Sequence, residues 1–332
     1  MSSQLRVLVT DTMEDLSSRS GQDPLKPLKA NYDCQIWSKP ERPGKAELQS
    51  ALEGCHGLLC LITDRIDSDL IQSCSELRVI SSCSVGVDHI DREAASTRGI
   101  PIGHTPGVLT ETTADLTFAL MLAAARRVAE GDTFVRSGGW KSDPNWGLAS
   151  FVGVDVFGST LGIIGLGGIG RAVARRAAGF GMRVMGWSRT PGPVAGVERV
   201  ELPELLNQSD FVSINIALAS ETRGLIDREA ISRMKPGSVL VNTARGGIVD
   251  DQALAQALAE GRLAAAGLDV FAGEPIGPEH PLAALDNVVM TPHIGSASLK
   301  TRMRMAELSV ENCMAGLEGR PLLRCANQAD LG

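Results

Sequence analysis

An excess of basic residues is missing from this chain. Asp and Glu number 39 against 32 Lys and Arg, a formal net charge of -7. That balance argues against nucleic acid as a partner, because binding phosphates needs basic patches. A membrane span is missing too. The longest apolar stretch, near Leu116–Ala125, is about half the length a spanning helix needs. No basic segment followed by an apolar core precedes the first strand pattern in MSSQLRVLVTD, so no secretory signal is expected. Seven cysteines, at 34, 55, 60, 74, 83, 313 and 325, form an odd set without a C-x-x-C pair. A disulfide framework or a zinc site is therefore not expected. Free thiols in a reducing cytoplasm are the simple reading. Short-period repeats and low-complexity segments are absent as well.

What is present is an ordinary globular composition, 43% hydrophobic and 21% charged over 332 residues. That length is enough for two domains, each with its own core. Short apolar runs at residues 5–10, 56–62, 77–82 and 99–103 predict strands with helices between them, an α/β unit of its own. From Thr110 an alanine-rich stretch to about residue 138 predicts one long helix, packed through Leu116, Ala119, Leu120 and Ala123. Residues 138–158, with glycines, a proline and Trp140 and Trp146, predict a long irregular loop with a functional or interface role. Further strands are predicted at 211–216, 238–242, 264–269 and 287–291, with helices at 251–260 and 300–317. Alternating apolar strands and helices indicate a parallel, doubly wound sheet.

One stretch is more specific. Residues 160–190, TLGIIGLGGIGRAVARRAAGFGMRVMGWSRT, read as strand, glycine turn, helix and strand. Gly165, Gly167 and Gly170 have the spacing G-x-G-x-x-G, which brings a pyrophosphate onto the free N–H groups of the helix start, near Gly168 and Ile169. About 20 residues on, a carboxylate would hold an unphosphorylated ribose. Here the chain reads Trp187-Ser188-Arg189-Thr190. It has no carboxylate and carries a cation, so NADP(H) is expected over NAD(H).

Three further segments each follow a predicted strand: VNTARGG at 241–247, GLDVFAGEP at 267–275 and TPHIGS at 291–296. Ligands of open α/β sheets bind beyond the carboxyl ends of strands. Arg245, Glu274 and His293 should thus converge near the nicotinamide. Their types suit hydride transfer to a 2-oxo acid. His293 as an imidazolium can protonate the developing alkoxide, Glu274 favours that charged form, and Arg245 can fork to carboxylate and carbonyl oxygens. The histidines at 56, 89, 104 and 280 have no comparable setting and read as structural.

These segments, with SVGVDHID at 84–91, resemble the D-isomer-specific 2-hydroxyacid dehydrogenases over residues 5–321. HGLLCLITDRID, HTPGVLTETTADL and PHIGSAS are most similar to the glyoxylate/hydroxypyruvate reductases of that family. The resemblance implies a two-domain α/β fold. A Rossmann-type dinucleotide domain would span 104–297, and a smaller flavodoxin-like substrate domain 1–103 and 298–332, with hinges near Pro101–Thr105 and Gly295–Leu299. It implies an NADPH-dependent reductase in which Arg245 binds substrate and Glu274 pairs with His293, the proton donor. Val85 and Gly86 would offer N–H groups to the substrate carboxylate, Leu58 and the loop after it would wall a small pocket, and Ser296 would also meet substrate. Ala217, Thr243, Ala244, Asp269, His293 and Gly295 would line the cofactor groove, with Asp269 near the carboxamide. It also implies a homodimer through the nucleotide domain. The chain departs from the family pattern at KSDPNW, which is less tryptophan-rich than animal relatives, and at Gly168, where relatives often have Arg.

Two other readings compete. A 3-phosphoglycerate or bulkier 2-hydroxyacid dehydrogenase would want added cations, where Leu58–Thr63 offers apolar residues. A dinucleotide-sensing, corepressor-like binding protein would share the fold and can keep the trio.

Overall fold

The computed structural model describes residues 4–144, 146–190 and 192–331. The first three residues, Asn145 of the expected irregular loop, Pro191 and Gly332 lie outside the described residues. The chain forms two compact units. One runs up to Leu109 and resumes at Ser296; the other is Thr110–Gly295. The sequence boundaries were 103/104 and 297/298.

The first unit holds five parallel strands: β1 (Arg6–Val9), β2 (Asp33–Ile36), β3 (Gly57–Cys60), β4 (Val79–Ser82) and β5 (Ile102–Gly103). Their order, β2-β1-β3-β4-β5, is that of flavodoxin-like sheets. Every residue of β3 and β4 is buried, which is why they read as unbroken apolar runs. β2 has no buried residue, so it gave no such signal. The helix Leu299–Leu317 belongs to this unit despite its distance along the chain. Its Cys313 and Leu317 side chains meet Gly57 of β3, where a Cβ would crowd them.

The second unit holds seven parallel strands: β6 (Thr160–Ile164), β7 (Arg183–Trp187), β8 (Glu198–Arg199), β9 (Phe211–Ile214), β10 (Val239–Asn242), β11 (Ala265–Leu268) and β12 (Val288–Met290). Their order is β12-β11-β10-β9-β6-β7-β8, a doubly wound sheet whose direction of winding reverses between β6 and β9. One apolar cluster is built on Ile164, Ile214, Leu240 and Leu268, and another on Ile163, Phe211, Val239 and Val241. Neighbouring strand residues thus alternate between two cores. The switch point between β6 and β9 is where such sheets receive ligands.

The single long helix expected from Thr110 is two helices, Thr110–Ala125 and Val128–Arg136. Two features break it. Arg127 takes a left-handed backbone, φ 52°, while its guanidinium pairs with Glu130 at 2.6 Å. The Ala125 carbonyl, which a continuous helix would give to residue 129, accepts instead from the Val154 N–H at 2.8 Å. The described residues of 138–158 are irregular apart from a short helix, Gly139–Ser142. Among the described residues no helix is long and apolar enough to cross a membrane.

Candidate active site

The glycine turn stands at the end of β6. Gly165 has φ 102°, and a Cβ there would run into Ile216 and the Asn215 carbonyl. At Gly170 a Cβ would strike the Gly165 carbonyl, so the helix Gly168–Ala178 can approach the turn only without a side chain there. Gly167 caps that helix, and nothing lies within 4 Å of where its Cβ would be. The first turn of the helix carries no acidic residue. An open cradle of amides at an unopposed positive helix end fits a pyrophosphate. Ile169 packs its side chain against the core cluster beneath, which leaves its backbone for the cradle.

The tail past β7 is more crowded than the sequence suggested. Arg189 is 60% exposed and lies 3.9 Å from Glu221. The Ser188 hydroxyl donates to the Thr190 carbonyl at 2.9 Å. Arg199 of β8, which the sequence reading missed, donates to the Ser188 carbonyl at 2.8 Å and to the Gly192 carbonyl at 3.1 Å. It pins the tail that carries Arg189.

Beyond β10, Asn242 folds the next loop onto itself. Its amide donates to the Arg245 carbonyl at 3.0 Å, and its Oδ1 accepts from the Ala244 N–H at 3.0 Å. In the sequence Asn242 is one residue of the segment VNTARGG, yet this side chain sets where Arg245 stands. Arg245 is half-buried, and its charge is among those that lower the Glu274 pKa. The Thr243 hydroxyl meets that of Thr117 at 2.8 Å, and Ala217 offers its carbonyl to Thr222 at 2.7 Å. Ala217 is exposed; Thr243 is buried.

Glu274 and His293 come from the ends of β11 and β12 and meet. His293 Nδ1 lies 2.7 Å from Glu274 Oε2, each side chain about one third exposed. Glu274 Oε1 accepts from the Phe271 N–H at 2.8 Å. Burial by itself would raise the Glu274 carboxyl. The hydrogen bonds from His293 and Phe271, with the charges of His293 and Arg245, outweigh burial and hold it below the usual carboxylate value. A low-pKa carboxylate fixed on Nδ1 orients the ring and leaves Nε2 for proton exchange.

Asp269, expected beside the cofactor carboxamide, is 1% exposed and also holds the turn that carries His293. Its Oδ1 accepts from the Thr291 hydroxyl at 2.6 Å and the Ile294 N–H at 2.8 Å, and its Oδ2 from the Gly295 N–H at 2.8 Å. Burial pushes its carboxyl above the usual value, against the pull of these donors and of His293. Thr113, in the buried face of the first helix, donates to the Gly295 carbonyl at 3.1 Å.

His280, read as structural from the sequence, also faces a carboxylate: its Nε2 lies 3.3 Å from Asp251 Oδ2, and both side chains are mostly buried. The other three histidines have local partners within the first unit. The His104 Nδ1 donates to the Val85 carbonyl at 3.0 Å, His89 meets Ser82 at 3.0 Å, and His56 accepts from the Arg6 N–H at 3.2 Å.

In that first unit the Gly86 carbonyl accepts from the Ser84 hydroxyl at 2.7 Å. The Val85–Gly86 loop is thus fixed through both carbonyls. Leu58 must also be corrected as a pocket wall. It is fully buried in β3, within a core cluster that includes Leu8 and Ile80. A residue in mid-strand between two covered faces has no surface left for a ligand. Leu61 and Ile62, just after the strand, are partly exposed. Ser296 is half-buried at the start of the returning segment.

The sequence profile of the D-isomer specific 2-hydroxyacid dehydrogenase NAD binding domain matches residues 118–295. A glyoxylate reductase of Korarchaeum cryptofilum is 46% identical over 308 residues, 92% of this chain and 92% of that protein. The chain belongs to the D-isomer specific 2-hydroxyacid dehydrogenase family. Solved structures agree. A Thermus thermophilus protein superposes with a TM-score of 0.87 at 48% identity, covering 97% of this chain and all of that one. An NADPH-dependent glyoxylate/hydroxypyruvate reductase of Sinorhizobium meliloti, in complex with NADP and malonate, has a TM-score of 0.87 at 29% identity, covering 99% and 98%. As a member of this family the protein is an oxidoreductase, and its second unit is the dinucleotide-binding one.

Proposed function

We propose that this dehydrogenase reduces small 2-oxo acids, glyoxylate to glycolate and hydroxypyruvate to D-glycerate, with NADPH preferred over NADH. The observation that carries the reading is the Glu274–His293 pair at 2.7 Å, at strand ends of the same sheet as the glycine turn. The names of the relatives point to the same substrates.

Bound NADPH supplies the hydride. Arg245 holds the substrate carboxylate and polarises the carbonyl oxygen. As negative charge develops on that oxygen, His293 delivers a proton from Nε2. Glu274 keeps the ring correctly turned. The family resemblance adds the N–H groups of Val85 and Gly86, and Ser296, as further substrate contacts. Ser188, Arg189 and Thr190 receive the 2′-phosphate, and the loose Arg189–Glu221 contact at 3.9 Å is one a phosphate can displace. The cofactor's remaining contacts are with Gly165, Gly167, Gly168, Ile169, Gly170, Ala217, Thr243, Ala244 and Gly295.

Seven free thiols, four of them buried, favour a reducing compartment, the cytoplasm. The exposed apolar side chains of the 128–157 segment favour a homodimer through the second unit.

The test is NADPH oxidation by the purified protein with glyoxylate, hydroxypyruvate and a panel of other short 2-oxo acids. Turnover should be highest with the first two. Negligible oxidation across the panel would overturn the reading.

A further inference from the structure

The loop that carries Glu274 is held from two sides. Two consecutive amides donate to two different carboxylates: the Phe271 N–H to Glu274 Oε1 at 2.8 Å, and the Ala272 N–H to Asp251 Oδ2 at 3.0 Å. Asp251 opens the helix Asp251–Ala259, directly after its capping residue Asp250. A carboxylate there is favoured by the helix dipole. The same Oδ2 faces His280 Nε2 at 3.3 Å. The His280 ring in turn packs edge-on against Phe271, ring centres 5.6 Å apart. Burial pushes the Asp251 carboxyl up, and the donors Ala272 and His280 only partly counter it. From a third direction, the loop after Arg245 abuts the same backbone, since a Cβ on Gly246 would strike the Phe271 carbonyl.

The short segment 271–274 therefore lies between two histidine–carboxylate pairs. One is Glu274–His293, and the other, Asp251–His280, was visible in no sequence motif. We propose that Asp251, backed by His280, is a positioning residue that fixes the Glu274 carboxylate against His293 by holding the Ala272 amide. This rests on the roles given above to Glu274 and His293. Freeing the amide would let the loop drift, and a displacement of about 1 Å at a proton-transfer group can cost up to about 100-fold in rate.

The experiment compares Asp251→Ala, Asp251→Asn and His280→Ala in the full chain, each alone and combined with Glu274→Gln. Thermal melting, kcat, KM for NADPH and the pH profile of kcat/KM for glyoxylate reduction are measured. The charged groups facing the pair, Arg245 toward Glu274 and Asp269 toward His293, are unchanged in all of them. Asp251→Ala should lower kcat about tenfold or more, leave KM for NADPH unchanged, and change the pH profile of kcat/KM as Glu274→Gln does. Asp251→Asn keeps an oxygen for the Ala272 N–H and should retain most of kcat. His280→Ala should fall in between, and it carries the test should Asp251→Ala not fold. Combined with Glu274→Gln, neither alanine variant should lower kcat further. Wild-type kcat and pH profile in a folded alanine variant would overturn the proposal, as would an undiminished loss in the Glu274→Gln background. If Glu274→Gln itself changes neither kcat nor the profile, the reading of the Glu274–His293 pair falls, and this inference with it.

Discussion

His293 Nδ1 stands 2.7 Å from Glu274 Oε2, and the backbone under the histidine is left-handed, with φ 53°. A non-glycine residue stays there only where its surroundings insist. Here the His293 N–H is bonded to the Asp269 carbonyl at 3.0 Å, and the Asp269 carboxylate takes the next two amides. The ring is thus aimed by the fold before any substrate arrives. His293→Ala should lower kcat by roughly 10²–10⁴-fold, the usual contribution of a positioned general acid, with NADPH affinity little changed. His293→Asn should lose as much activity but less stability, because Asn tolerates the left-handed region better. Steady-state kinetics, NADPH titration and thermal melts check this; a near-normal kcat would refute the proton donor.

The Glu274 carboxyl predicts how stability depends on pH. Its folded-state pKa lies below the usual value, so the folded state favours the ionised form. That contribution is present above the unfolded pKa and is lost as pH falls through the folded one. Glu274→Gln should therefore be less stable than wild type near neutrality, and the gap should narrow through the acid range. Urea unfolding at about pH 7 and about pH 3 measures both ends. A gap that is constant with pH would mean that ionisation of Glu274 contributes nothing.

Arg189 and Glu221 make a prediction in two directions. If Arg189 holds the 2′-phosphate, Arg189→Ala should lower the NADPH/NADH ratio of kcat/KM about tenfold or more, the effect of losing one charge-assisted hydrogen bond. Glu221→Gln removes the carboxylate that competes for the same guanidinium and should raise the ratio. High salt should shrink both effects, since the groups are exposed. An unchanged ratio in Arg189→Ala would remove this contact from the NADPH preference.

Much of this was legible in the sequence because its signals are local. Buried strands such as β3, β4, β9 and β10 read as short apolar runs, and the three glycines have fixed spacing. Arg245, Glu274 and His293 each follow a strand, and strand ends converge by topology. What was not legible depends on partners remote in the chain. The helix break at Arg127 needs the Val154 amide on the Ala125 carbonyl. The fate of Arg189 depends on Glu221 and on Arg199 behind it. Leu58, a pocket wall only by family resemblance, is hidden because every residue of β3 is buried. Asp251 and His280 meet only once the 271–274 loop is folded.

The segment from Val128 to Phe157 carries seven of the nine large hydrophobic side chains exposed among the described residues. They concentrate exposed apolar side chains in one segment of the chain, and exposed apolar surface of this kind is normally covered by another protein surface. The rings of Trp140 and Trp146 lie 5.9 Å apart, and those of Phe134 and Phe151 5.0 Å, so the segment offers aromatic groups already packed in pairs. Tryptophan is among the residues that most often carry interface energy. A homodimer through this segment predicts that sedimentation should give twice the chain mass of 35.0 kDa. Paired substitutions Val135→Glu and Trp140→Glu should return it to one, because burying unpaired carboxylates is strongly unfavourable. The glycine turn and the Glu274–His293 pair are built from other segments, so NADPH binding should survive in the monomer even where turnover drops. A monomeric wild-type protein would refute the dimer, and a dimer that withstands both charges would place its interface elsewhere.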